Sequence, residues 1–265
     1  MALTARSIPI VAGQPPEQGL ECVYVWQLPV RIAHWLIFFA IVALSFTGYY
    51  MHNPFIISRG PTTYMMGTMR YIHIISGYVL LAAFMMRLYF FVAGNYWASW
   101  RFFIPTDRQR LKTAREMLKY YTFVRREPVR DVGHNALAGL TYSVIFFLLS
   151  LEIISGLVLY SQVRGPGLAR NLFGWVAGIV DIQYLRLFHF LGMFVFIAFA
   201  IHHVYSAILV SIEERNGLLE SMFSGFKFVQ DYELREQEQR HQILLHQSVP
   251  GRISRWWTHR KKKRA

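Results

Sequence analysis

The sequence holds one cysteine, Cys22, in 265 residues. A lone thiol excludes an intramolecular disulfide framework, a Cys-ligated iron–sulfur cluster and any CxxCH haem attachment. Charge is scarce as well, at 16% Asp, Glu, Lys and Arg, where an ordinary soluble domain carries about 25%. Acidic residues are the fewest, 15 against 28 Lys and Arg, for a formal charge of +13. No Walker or dinucleotide glycine motif occurs, no internal repeat and no low-complexity tract. What remains is apolar: 54% hydrophobic and 16% aromatic residues, with a mean hydropathy of +0.28. That balance excludes disorder and a water-soluble globule, and it points to a membrane protein.

Charge-free stretches run from Arg31 to Arg59 and from Arg186 to Glu213. Two more apolar segments, 71–92 and 136–160, are interrupted only by Arg87 and Glu152. A bilayer core of about 30 Å needs roughly 20 apolar residues in a helix, so all four qualify as spans. The apolar run 173–180 is too short and is expected in the interface or against a partner. The expected architecture is all-α, an integral-membrane four-helix bundle with helices at about 32–52, 70–92, 135–160 and 186–212. Lys and Arg number two in residues 1–31, nine in 94–133 and eleven from 213 onward, against five in the opposite connections. The positive-inside rule then places both termini and the middle loop in the cytoplasm. Residues 1–28, with Pro15-Pro16 and no apolar core after a basic start, read as a cytoplasmic lead-in rather than a signal peptide. Residues 29–212 form the helical domain, and 213–265 a basic tail ending RWWTHRKKKRA, suited to anionic lipid headgroups rather than nucleic acid.

Ionisable groups inside a membrane are expensive and mark functional positions. His34 starts the first span, His73 the second, and His189, His202 and His203 lie in the fourth. His189 and His203 are 14 residues apart. At 100° per residue they fall within about 40° of one face and about 21 Å apart along the axis, whereas His202 points away. Since alternate spans run in opposite directions, depth pairs His34 with His203 on the inner side and His73 with His189 on the outer side. Two imidazoles leave zinc or copper under-coordinated, because no Cys, Asp or Glu accompanies either pair. Haem brings four in-plane nitrogens and needs two axial ligands, so the pattern predicts two non-covalent b haems. Gly77 and Gly192, beside His73 and His189, and Gly48 on the His34 face would admit a flat macrocycle; glycine is also common in helix contacts generally. With both axial positions filled, electron transfer is the expected chemistry. His52 and His134 are rival ligands, while His241, His246 and His259 read as surface.

Arg87, 14 residues after His73, faces inward at the inner depth. It is expected to meet a haem propionate or a quinone carbonyl, or else to snorkel to the headgroups. Arg31 and Arg70 lie just outside their ligands, also within propionate reach. Glu152, mid-span, must be neutral, paired or wet, in a structural hydrogen bond or a proton path.

The sequence resembles the b-type cytochrome subunit of membrane-bound nickel–iron uptake hydrogenases, a family related to the gamma subunit of formate dehydrogenases. LPVRIAHW around His34, YIHIISG around His73, MRLYFFVAGN, GHNALAG at 133–139, GLVLYS at 156–161, HFLGM and HHVY carry the likeness, from about Val23 to Leu209. The doubled His202-His203, where that family usually has one histidine, departs from the pattern. The resemblance implies an electron-transfer subunit that is not an enzyme by itself, in a bacterial cytoplasmic membrane. Its implied partners are a periplasmic iron–sulfur small subunit and, through it, a nickel–iron large subunit, with quinone as acceptor. It further implies a quinone site by the inner haem near Asn135, with His134 alongside and Arg87 at that depth; a helix N-cap is the other reading of Asn135. The equivalent anchor of a formate dehydrogenase or other periplasmic reductase is the alternative, and a haem-free channel or scaffold a remoter one.

Overall fold

A computed structural model describes residues 20–55, 64–104, 108–126, 136–163, 167–214 and 216–230. The element order is β1 (Leu20–Tyr24), α1 (Leu28–His52), α2 (Met65–Ala93), a 3-10 turn Tyr96–Ala98, α3 (Trp100–Phe103), α4 (Arg108–Tyr121), α5 (Ala136–Val163), α6 (Leu168–Phe173), a 3-10 stretch Gly174–Gly178, α7 (Ile182–Glu214), α8 (Leu218–Ser224) and β2 (Phe226–Gln230). Among the described residues four helices, α1, α2, α5 and α7, are long and apolar enough to cross a membrane. They are the four spans read from the sequence, each extended by a few residues. Gln27, extended in backbone, caps α1, and Pro29 sits in its first turn, where a missing N–H costs nothing.

The bundle buries little of its own apolar surface. Phe39, Phe147, Leu187 and Ile201 are exposed, as expected where lipid rather than protein covers a helix face. Inside, Ala40, Leu80, Phe84, Leu149 and Phe196 meet in one layer drawn from all four spans. Phe84 stacks on Phe146 with ring centroids 5.8 Å apart. The interrupted run 173–180 does not span; it falls in α6 and the following 3-10 stretch, with Trp175 and Ile179 exposed.

The lead-in and tail depart from the sequence expectation. Residues 20–24 are a strand, and β1 pairs antiparallel with β2 from Leu20↔Gln230 to Tyr24↔Phe226. The two flanks of the bundle therefore meet at one end, called here the strand end. Val25, Trp26, Val30, Ala98 and Val229 form a second core there. α8 is bracketed by Gly217 (φ 71°) and Gly225 (φ 88°), both in the left-handed region that glycine tolerates. A side chain at Gly225 would also strike the Trp26 carbonyl, 2.8 Å from its Cβ position. α8 is tied beneath α1 by Trp26 Nε1 donating to Ser221 Oγ (3.1 Å), Trp35 Nε1 donating to the Met222 carbonyl (3.2 Å) and the Arg31 guanidinium donating to the Phe223 carbonyl.

α4 is amphipathic. Ala114 and Met117 are buried, while Arg108, Lys112 and Arg115 are exposed on the opposite face. Lys119 Nζ reaches Glu116 Oε1 at 2.7 Å and Arg125 reaches Oε2 at 3.5 Å. The Lys119 hydrogen bond is the main reason that the Glu116 carboxyl titrates below its ordinary value.

Candidate functional site

Two histidine pairs face each other across the bundle. His34, two turns into α1, and His203, on the later part of α7, have ring centroids 6.3 Å apart at 60°. His73 on α2 and His189 on α7 lie 6.3 Å apart at 72°. The first pair is at the strand end and the second at the far end. The 14-residue spacing on one long helix brings both α7 histidines inward, as α-helical phase requires. His202 is exposed, with its Nε2 3.4 Å from Ser206 Oγ. His52 stacks on Phe190 at 3.9 Å and faces no other histidine.

The far pair is braced identically on both rings. Thr47 Oγ1 on α1 lies 2.9 Å from His73 Nδ1, and Ser155 Oγ on α5 lies 2.9 Å from His189 Nδ1. Each hydroxyl donates its own hydrogen along its helix, Thr47 to the Ala43 carbonyl at 2.6 Å and Ser155 to the Glu152 carbonyl at 2.9 Å. A hydroxyl has one hydrogen and two lone pairs, so towards histidine each can only accept. Nδ1 of both rings therefore carries hydrogen, and Nε2 is left with a free lone pair. Glu152 Oε1 also lies close, 3.2 Å from His189 Nδ1, so its carboxylate stands beside a candidate ligand. At the strand end, Tyr142 Oη is 3.2 Å from His203 Nδ1, and Phe199 stacks on the His203 ring at 5.5 Å. His34 Nδ1 is buried without a hydrogen-bond partner among the described residues.

A glycine follows each bracing hydroxyl, and both touch the histidine that the hydroxyl braces. A Cβ on Gly48 would sit 3.4 Å from His73 Cε1, and one on Gly156 would sit 3.1 Å from His189 Cε1. Gly156 was missed as a site residue in the sequence, as were Thr47, Ser155 and Tyr142. One signal was available. Tyr142 precedes Gly156 by 14 residues as His34 precedes Gly48, and His73 precedes Arg87 by 14 as His189 precedes His203. The α1–α2 and α5–α7 hairpins therefore carry a matching pattern where no repeat was expected.

Other expected positions resolve differently. A Cβ on Gly77 would meet nothing within 4 Å, so this face opens onto space. Gly192 instead accommodates the Glu152 carboxylate, which a Cβ there would strike. Arg87 is buried, but its guanidinium is taken up by protein: Nη1 donates to the Ala98 carbonyl at 3.0 Å, and its Cζ lies 4.1 Å from the Phe91 centroid and 4.9 Å from that of Phe103. A cation among ring faces and a carbonyl is held firmly, so it pins the 95–104 segment while its charge lies near enough to act on the His34 ring. Arg31 is likewise engaged with α8, while Arg70 is exposed three residues before His73. His134 and Asn135 lie outside the described residues.

The pairs meet the demands of a group that brings its own in-plane donors. A metal held between two imidazoles at about 2 Å per bond keeps the ring centroids about 6 Å apart, and both pairs measure 6.3 Å. Among the described residues no group of three or more His, Cys, Asp or Glu could hold a bare ion. The free Nε2 atoms at the far end and the open face of Gly77 suit a flat, doubly ligated macrocycle.

Comparison with known proteins agrees with this chemistry. A family model described as prokaryotic cytochrome b561 matches residues 25–225. A protein of Bradyrhizobium diazoefficiens named "Probable Ni/Fe-hydrogenase B-type cytochrome subunit" is 34% identical over 219 residues, 80% of this chain and 89% of the relative. One of the same name from Rhodobacter capsulatus is 35% identical, covering 79% and 82%. The "Probable Ni/Fe-hydrogenase 1 B-type cytochrome subunit" of Escherichia coli K12 is 30% identical, covering 77% and 90%.

Proposed function

This chain belongs to the prokaryotic cytochrome b561 family, and from that premise we propose that it is the membrane electron-transfer subunit of a nickel–iron hydrogenase. The carrying observation is the pair of facing imidazole sets, each 6.3 Å apart, stacked along one bundle. In this reading His34 with His203, and His73 with His189, hold two b haems. When bound, these groups supply one-electron carriers at two depths of the membrane.

The excess of Lys and Arg on the flanks and middle loop supports a cytoplasmic strand end. His73 and His189 then lie on the outer side of a bacterial cytoplasmic membrane, towards a partner's iron–sulfur clusters. His34 and His203 lie on the inner side, towards quinone and cytoplasmic protons. The chain's own contribution is positional. The four histidines sit on α1, α2 and α7, three rigid spans. The layer of Ala40, Leu80, Phe84, Leu149 and Phe196 is apolar and closely packed, so it excludes water and ions between the two depths. With two histidines given to each group, the chain would offer a substrate no open position at the metal, which suits a relay that is not itself the catalyst. Quinone is assigned to the cytoplasmic end beside His134, Asn135 and Arg87, whose charge acts on His34 at that depth.

The test uses the intact complex. Replacing His73 with Ala should abolish hydrogen-driven quinone reduction and spare hydrogen oxidation by a dye that accepts from iron–sulfur clusters directly. Unimpaired quinone reduction by this variant would contradict the assigned path.

A further inference from the structure

The far-end pair is held by a duplicated device for which the proposed activity gives no separate reason. Thr47-Gly48 on α1 faces His73, and Ser155-Gly156 on α5 faces His189. The hydroxyls are buried, at 2% and 3% relative exposure for their residues. Each is oriented by its own helix, since its single hydrogen is committed to a main-chain carbonyl. The following glycine lets the helix backbone come close to the ring edge. Hydroxyl and glycine thus fix where the ring lies, which way it turns and which nitrogen carries hydrogen. Among the described residues the strand-end pair lacks this symmetry: His203 has Tyr142, and His34 Nδ1 has no partner.

We propose that Thr47 and Ser155 are paired positioning residues that set the tautomer of both outer imidazoles and hold the outer site at a lower reduction potential than the inner one. The proposal rests on the assignment of these histidines as haem ligands. An imidazole whose Nδ1–H is given to an acceptor is a stronger electron donor through Nε2. A stronger donor favours the oxidised metal, so gaining one electron at that site becomes harder. Both outer rings have such an acceptor, and the Glu152 carboxylate lies 3.2 Å from His189 Nδ1. Among the described residues, the inner pair has one hydroxyl, that of Tyr142, within reach of its Nδ1 atoms. Electrons arriving from outside then meet the lower potential first and move inward downhill, a direction written into two hydroxyls.

The experiment is a redox titration of b-type absorbance in the purified holo-complex, resolved into its two components, with haem content read by pyridine haemochrome. Thr47→Val and Ser155→Ala should raise the potential of the same component, the lower one. Tyr142→Phe should move the other component. Thr47→Ser, which restores the hydroxyl, should titrate as the wild type. If the lost hydroxyl loosens the group, roughly 10- to 100-fold weaker retention is expected in Thr47→Val, and Thr47→Ser should restore it. Shifts in different components, unchanged potentials at full haem content, or a Thr47→Ser chain behaving like Thr47→Val would overturn the proposal. Failure of the ligand assignment gives a separate result: His73→Ala would then keep both components, whereas under the proposal it loses the one that Thr47→Val shifts.

Discussion

Adding one methyl group at Gly156 and at Gly48 should have opposite consequences, although both glycines face a candidate ligand. At Gly48 the new Cβ would lie 3.4 Å from His73 Cε1 and 3.9 Å from both His73 Nδ1 and Met193 Sδ. Those are ordinary contacts, and replacing glycine within a helix removes a propensity penalty of up to about 1 kcal/mol. At Gly156 the Cβ would lie 3.1 Å from His189 Cε1, so the ring must retreat by a few tenths of an ångström. It has no free direction, because Nδ1 is held by Ser155 at 2.9 Å and Glu152 at 3.2 Å. Overpacking of this kind costs about 1–3 kcal/mol. Expressed on the ligand, that is about 5- to 150-fold weaker retention of the outer haem. Gly48→Ala should therefore keep wild-type haem content through detergent purification and dilution, while Gly156→Ala loses up to half. Equal behaviour of the two variants, or greater loss in Gly48→Ala, would refute the claim that ring immobilisation governs this site.

Two further outcomes follow from other residues. Arg87→Met keeps the bulk and removes a charged hydrogen bond to Ala98, worth about 1.5–3 kcal/mol. Amide hydrogen exchange across 95–104 should then speed up at least roughly 10-fold, and unchanged exchange would remove Arg87 as the pin of that segment. Asn135→Leu should keep both reduced-haem spectra but raise the quinone KM or abolish quinone turnover. Loss of a helix cap alone would cost about 1 kcal/mol of stability and leave the kinetics nearly untouched.

The spans were legible because a bilayer demands long uncharged runs, and few sequences offer them by accident. The inward histidines were legible for a related reason: His189 and His203 share one helix, so their phase can be counted. Their braces could not be counted. Thr47 and His73 sit on different helices, as do Ser155 and His189, and no single periodicity relates residues across a hairpin. Hydroxyls that bond back to their own helix are common in membrane spans, so Thr47 and Ser155 carried no distinguishing mark. The strand pairing was hidden by separation, since Leu20 and Gln230 lie at opposite ends of the described chain with no turn between them to announce a hairpin. Arg87 shows the limit of phase alone. Its inward direction agrees with its burial, but its contacts with the rings of Phe91 and Phe103 and the Ala98 carbonyl were not countable from phase. Gly192 is similar: its face was right, but the neighbour it accommodates is the Glu152 carboxylate.

The central claim, one haem held by each histidine pair, is tested most directly by haem stoichiometry in single-histidine variants. Pyridine haemochrome assay of the purified chain should give two haems for the wild type and for His202→Ala, and one for His203→Ala. Full haem content in His203→Ala, with loss in His202→Ala, would contradict the pairing of His34 with His203 and the account built on it.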